Sequence, residues 1–154
     1  MIDGRAKGAA GEREFCKWLQ TKFGLDELPT RNLEQTREGG ADILGFKPFI
    51  FEVKRVEVLS LRHWWRQAVL AAKMGVGGEV PVVAFRQNRQ PWRFLISASY
   101  LNPRIETGYI QVEEREFLMW VELWRERNVL KEDKRISAVN FQDIYDIPPN
   151  REKP

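Results

Sequence analysis

Cysteine is nearly missing. The 154-residue chain has one, Cys16, which excludes an internal disulfide framework and a cysteine-based zinc site and fits a reducing, cytoplasmic setting. Histidine is equally scarce. His63 stands alone near a predicted helix start, where a structural role is more common than a catalytic one. No apolar run approaches the length of a membrane span, so no membrane association is expected. The opening Met1-Ile2-Asp3-Gly4-Arg5 is polar where a signal peptide would be apolar. Internal repeats and low-complexity linkers are absent, and charge of one sign does not dominate, since the net charge is +3.

What is present describes a soluble domain with a core. At 43% hydrophobic and 31% charged residues, the chain has ordinary globular composition, and its length fits one domain. We expect that domain over residues 1–147, with 148–154 as a flexible tail within the extended end "YDIPPNREKP". The basic excess is uneven: residues 39–100 hold 9 basic and 4 acidic side chains. Such a patch suits a polyanion such as nucleic acid. On charge alone, a solvated surface on a slightly basic protein is the favoured account.

Periodicity predicts a helix over 6–23, with Phe15, Trp18, Leu19 and Phe23 on one face and Gly24 as its stop. A short strand at 27–32 and a polar loop at 34–40 come next. Two strands, 41–46 and 49–55, are then joined as a hairpin at Lys47-Pro48. Ser60 is placed to cap a second helix, "SLRHWWRQAVLAAKMG", whose apolar stripe runs from Leu61 through Trp64, Trp65, Ala68, Val69 and Ala72. Strands at 80–86 and 92–97 follow. Glu113 and Glu114 then open a third helix, with Phe117, Trp120, Val121 and Trp124 on its apolar face. The order describes a mixed α/β domain.

Within it, "FIFEVKR" (49–55) carries charge on an otherwise apolar strand. Side chains alternate across a strand with a rise of about 3.3 Å per residue. Glu52 and Lys54 therefore share a face with Ile50, while Phe49, Phe51 and Val53 fill the other. If the predicted hairpin forms, Asp42 arrives beside them. Two converging carboxylates require a cation between them. Mg²⁺ suits such a site, because it takes one or two carboxylates and keeps several waters. Lys54 would then orient a water or steady charge on a phosphate.

Asp42 followed by Glu52-Val53-Lys54 resembles the motif of the PD-(D/E)xK nuclease superfamily, and the order of elements is similar to its restriction-endonuclease-like α/β fold, a mixed sheet flanked by helices. "KGAAGERE" (Lys7 to Glu14) resembles the first helix of Holliday-junction-resolvase-like members, with Glu12 as the glutamate after the Lys-Gly. "HWWRQAVLAAK" (63–73) resembles the helix that follows the ExK strand, with Gln67 as its supporting glutamine. The resemblance covers about residues 5–87. The proline of the family motif is Ala41 here.

The resemblance implies an Mg²⁺-dependent endodeoxyribonuclease, with Mn²⁺ as a substitute. Asp42, Glu52 and the Val53 carbonyl would hold the ion, with Glu12 assisting. Lys54 would position the water or the phosphate, and Gln67 would support Lys54. Lys7, Arg55, Arg62 and Arg66 would contact DNA. The Lys-Gly-x-x-x-Glu helix favours a homodimeric resolvase acting on four-way or branched DNA in recombination, in the host cytoplasm if phage-encoded. A linear-DNA exonuclease or a restriction-type nuclease would use the same residues.

Each motif also has a plainer explanation. Glu52 and Lys54 could form an ion pair on a solvated face, although Ile50 argues for partial burial and buried charges need partners. Glu12 extends the Phe15–Leu19 stripe rather than opposing it, whereas Glu14 points elsewhere and is expected to be solvated. Gln67 could be a satisfied amide at the core edge, and Cys16 a packing residue. Trp92, among Arg89, Gln90 and Arg93, has the surroundings of a base-stacking residue, but a place in the core at a strand end is the simpler expectation. A non-catalytic nucleic-acid-binding module on the same scaffold is the rival from another class. It would have no need of Asp42, Glu52, Lys54 and Glu12 together.

Overall fold

The computed structural model describes residues 4–33, 41–75 and 77–128. The expected loop at 34–40 and the tail at 145–154 lie outside the described residues. The chain divides into two compact units, residues 1–117 and 118–154. Of the second, only the continuation of a helix to residue 128 is described.

The first unit opens with α1 (Gly4–Phe23), closed at Gly24. That residue adopts φ 57°, and the following Leu25 N–H donates to the Gln20 carbonyl at 3.1 Å, a left-handed helix end that glycine reaches without steric cost. Next come β1 (Thr30–Arg31) and β2 (Ile43–Leu44), an antiparallel pair. The strands β3 (Phe49–Arg55), β4 (Val80–Arg86), β5 (Arg93–Ser97) and β6 (Tyr109–Glu113) form a four-stranded sheet in that order. β3 and β4 are parallel, and the other neighbours are antiparallel. A parallel pair needs a crossover, and α2 (Leu61–Met74) provides it. A third helix, α3, spans residues 114–128.

Register assigns the two faces of the sheet. Phe51 pairs with Val82, Val53 with Ala84, and Ala84 with Phe94, so these side chains share the α1 face. Phe15 of α1 lies 5.0 Å from both the Phe51 and Trp92 rings, and Phe94 stacks on Phe117 at 3.8 Å. On the opposite face Trp64, Trp65 and Ala68 of α2 pack on Val83, Phe85 and Leu95. β4 is covered on both sides, which explains why "VPVVAFR" reads as a continuous apolar run rather than an alternating one.

The expected helices and the strands at 49–55 and 80–86 are present at these places. The shorter strands differ. β1 and β2 are two residues each, and β2 forms its ladder with β1 rather than with β3. The chain does reverse at Lys47–Pro48, closed by the Phe49 N–H on the Phe46 carbonyl at 3.0 Å. A backbone hydrogen bond from Asp42 N–H to the Phe51 carbonyl at 2.8 Å ties this segment to β3. Ser60 precedes α2 but makes no side-chain cap; its carbonyl instead accepts the Trp64 N–H at 3.1 Å. β6 is an added strand. A mixed four-stranded sheet with helices against it is the restriction-endonuclease-like α/β arrangement.

Candidate active site

β3 is the edge strand of the four-stranded sheet, and its peptide groups alternate in direction. Those of Phe51 and Val53 face away from β4: the Phe51 carbonyl accepts the Asp42 N–H, and the Val53 N–H donates to Asp42 Oδ2 at 2.5 Å. Within one extended residue the N–H and C=O point to the same side, so the Val53 carbonyl also faces the edge where Asp42 sits. Asp42 is held from the other side too, since its carbonyl accepts the Asn32 N–H at 2.8 Å.

Asp42 and Glu52, each 5% exposed, are the buried charged residues of the described chain. Lys54 Nζ lies 2.5 Å from Glu52 Oε1. These three line one open cleft of about 680 Å³ with Glu12, Val53, Gln67, Lys7 and Arg55. Glu12 enters from α1 on one face and Gln67 from α2 on the other. Of the residues singled out in the sequence, Arg62 and Arg66 are absent from this lining and stand exposed on α2.

Several of these side chains are already engaged. Glu12 pairs with Arg31 of β1. Lys7 Nζ reaches Glu57 Oε1 at 3.1 Å, and with the Asn88 N–H it holds the Glu57 carboxyl below the usual carboxylate range. Arg55 donates to Glu14 at 2.6 Å and to Asn88 at 3.3 Å. Gln67 Oε1 is buried and has no hydrogen-bond partner among the described residues. An acceptor in that position is uncommon and is open to a donor in the cleft.

The cleft lining counts four carboxylates (Glu12, Asp42, Glu52, Glu57) against three cations (Lys7, Lys54, Arg55). Among the described residues no three His, Cys, Asp or Glu side chains gather into a metal-holding cluster. The donor set is therefore two buried carboxylates and a backbone carbonyl beside open cleft. That all-oxygen set fits a hard divalent ion which retains its own waters and does not fit a soft metal.

Glu14, Gly11 and Arg31 depart from or add to the expectations, while Trp92 follows the simpler one. Glu14 is not simply solvated: it accepts from Arg55 at 2.6 Å and from Arg86 at 2.5 Å. Gly11, three residues earlier on the same helix face, lets α1 approach until a Cβ there would stand 2.8 Å from Arg55 Cβ, and this brings Glu14 over the strand ends. Trp92, 3% exposed, is a core residue unsuited to base stacking. Arg31 had no signal in spacing, since its role as partner of Glu12 arises only from how β1 meets α1.

A mixed sheet with an acidic edge cleft and an adjacent lysine is the arrangement that the PD-(D/E)xK resemblance leads one to expect. Residues 3–147 match the family described as "phage putative PDDEXK endonuclease", and the chain belongs to that family. Comparison with curated proteins and with solved structures gave no match.

Proposed function

We propose that the protein is an Mg²⁺-dependent DNA endonuclease that cuts branched DNA, with four-way junctions as its substrate. The observation that carries the reading is the convergence of Glu12, Asp42, Glu52, Lys54 and Gln67 on one cleft, joined to family membership. Asp42, Glu52 and the Val53 carbonyl would hold the ion. When bound, Mg²⁺, or Mn²⁺ in its place, supplies Lewis-acid polarisation of the phosphate and a more acidic water.

The chain's own groups do the rest. The Val53 N–H fixes one oxygen of Asp42 and leaves the carboxylate oriented at the strand edge. Glu52 holds Lys54 at the cleft wall, where its ammonium orients the attacking water or offsets charge gathering on the phosphate. Gln67 Oε1 accepts from that water or from Lys54. Glu12, paired with Arg31 at the cleft, would assist in holding the ion. Lys7 and Arg55 at the cleft, with Arg62 and Arg66 on α2, contact phosphates.

Preference for a junction rests on the Lys7-Gly8 to Glu12 segment, whose resemblance is to resolvases. Paired cuts across a junction require a homodimer, which a two-fold arrangement supplies. The test is cleavage of a labelled four-way junction and of a linear duplex of the same sequence, with and without Mg²⁺. We expect symmetric, Mg²⁺-dependent nicks on the junction alone. Equal cutting of the duplex would keep the nuclease and discard the resolvase. DNA binding without cleavage under any divalent ion would replace both with a binding module.

A further inference from the structure

Arg55 and Arg86 end the parallel strands β3 and β4 and are register partners on the α1 face. Two like charges directly opposite each other repel, and Glu14 offsets them by accepting from both. The triad keeps one positive charge. Arg55 lines the catalytic cleft. Arg86 lines a second cleft, of about 490 Å³, together with Lys17, Trp18, Lys22 and Trp92. The triad is therefore the ridge between two adjoining clefts.

The two clefts differ in charge. The catalytic one has more carboxylates than cations. The second holds Lys17, Lys22 and Arg86 against Glu14 and Glu114. Lys22 is paired with Glu114 at 2.6 Å and Arg86 with Glu14, while no ion pair among the described residues engages Lys17. Among the described residues, Trp18 Nε1 and Arg86 Nε are both buried without a hydrogen-bond partner. Indole and guanidinium nitrogens only donate, so what completes them is an acceptor. The Arg86 guanidinium also lies over the Trp92 ring, 5.1 Å from its centroid, which holds it in place at the cleft wall.

We propose that this second cleft is a phosphate-binding site for the DNA that flanks the cut, which passes from the catalytic cleft over the Arg55–Glu14–Arg86 ridge. The site reads backbone and not sequence, and it needs no divalent ion, because its own cations face the phosphates. Anionic oxygens seated in it meet Lys17 and the Arg86 guanidinium at the cleft wall. The proposal rests on the nuclease reading above, since it takes DNA as the ligand.

The test measures binding of a duplex series of increasing length, without divalent ions, across salt concentrations. Each phosphate contact adds about 0.9 to the slope of log K against log salt. For the intact protein the slope rises once the duplex is long enough to cross the ridge. In the Lys17→Ala/Lys22→Ala variant that rise shrinks by about 2, while cleavage of the shortest substrate in Mg²⁺ is unchanged. Glu14→Gln removes the competing carboxylate and shifts affinity for the long duplex in the opposite direction, towards tighter binding. A thermal melt of each variant separates lost binding from lost folding. Cleavage with slopes that none of the variants alters would overturn the second cleft alone. Failure to bind or cut any DNA, with or without Mg²⁺, would overturn the nuclease reading and this proposal with it.

Discussion

In the proposed site Asp42 would serve both structure and chemistry at one position. Its Oδ2 accepts the Val53 N–H, and its carboxylate faces the cleft. Asn at this position keeps an acceptor for Val53 but loses the charge. Asp42→Asn should therefore leave stability within about 1 kcal/mol of the intact protein, by thermal or urea unfolding. Cleavage should fall by at least about 100-fold, since several kcal/mol of charge stabilisation goes with the ion. Cys16 illustrates a residue with packing and no chemistry. Burial first, and then the nearby Glu12 carboxylate, push its thiol above the ordinary value, with Arg31 opposing. The thiolate is the reactive form, so a thiol reagent should label Cys16 slowly at neutral pH and rapidly once the chain is unfolded. Fast labelling of the native protein would contradict the burial seen here.

Gly11 sets how closely α1 meets the sheet. A methyl group there would sit 2.8 Å from Arg55 Cβ, a contact that neither element relieves by simple side-chain rotation. Gly11→Ala gains up to about 1 kcal/mol of helix propensity against an overpacking cost of about 1–3 kcal/mol. The expected net result is a lower melting temperature and weaker DNA binding, as Arg55 and Glu14 move apart. At this scale the sequence was most informative where periodicity was strong. α1, β3 and α2 follow from periodicity and β4 from its apolar run, and the alternation within "FEVKR" put Glu52 and Lys54 on one face. β6 was missed because Glu113 and Glu114 read as a helix start, although "YIQV" after Gly108 (φ 121°) carries the alternation and turn of an edge strand. The β2–β3 hairpin brought Asp42 to the correct place with the wrong ladder. Arg31 and Glu14 were not legible, because their partners are 19 to 72 positions away in the chain and no local pattern encodes such a contact.

Across the whole molecule, one aromatic layer carries the site. Phe94 is fully buried, stacked on Phe117 and 5.3 Å from Trp18. Phe94→Ala should cost about 3–5 kcal/mol, measured by denaturant unfolding, and activity should be lost through unfolding rather than through the chemistry. The other side of the sheet edge is where charge accumulates: the burial of Asp42 and Glu52 is tolerable with Lys54 beside them, and a divalent ion would offset what remains. The central claim is that these two carboxylates hold that ion. A calorimetric titration of Mn²⁺ into the intact protein and into Asp42→Asn, with cleavage followed on the same samples, tests it most directly. The account predicts saturable binding by the intact protein, its loss in the variant, and loss of cleavage in parallel. Equal Mn²⁺ binding by both proteins, or DNA cleavage that persists in EDTA, would contradict it.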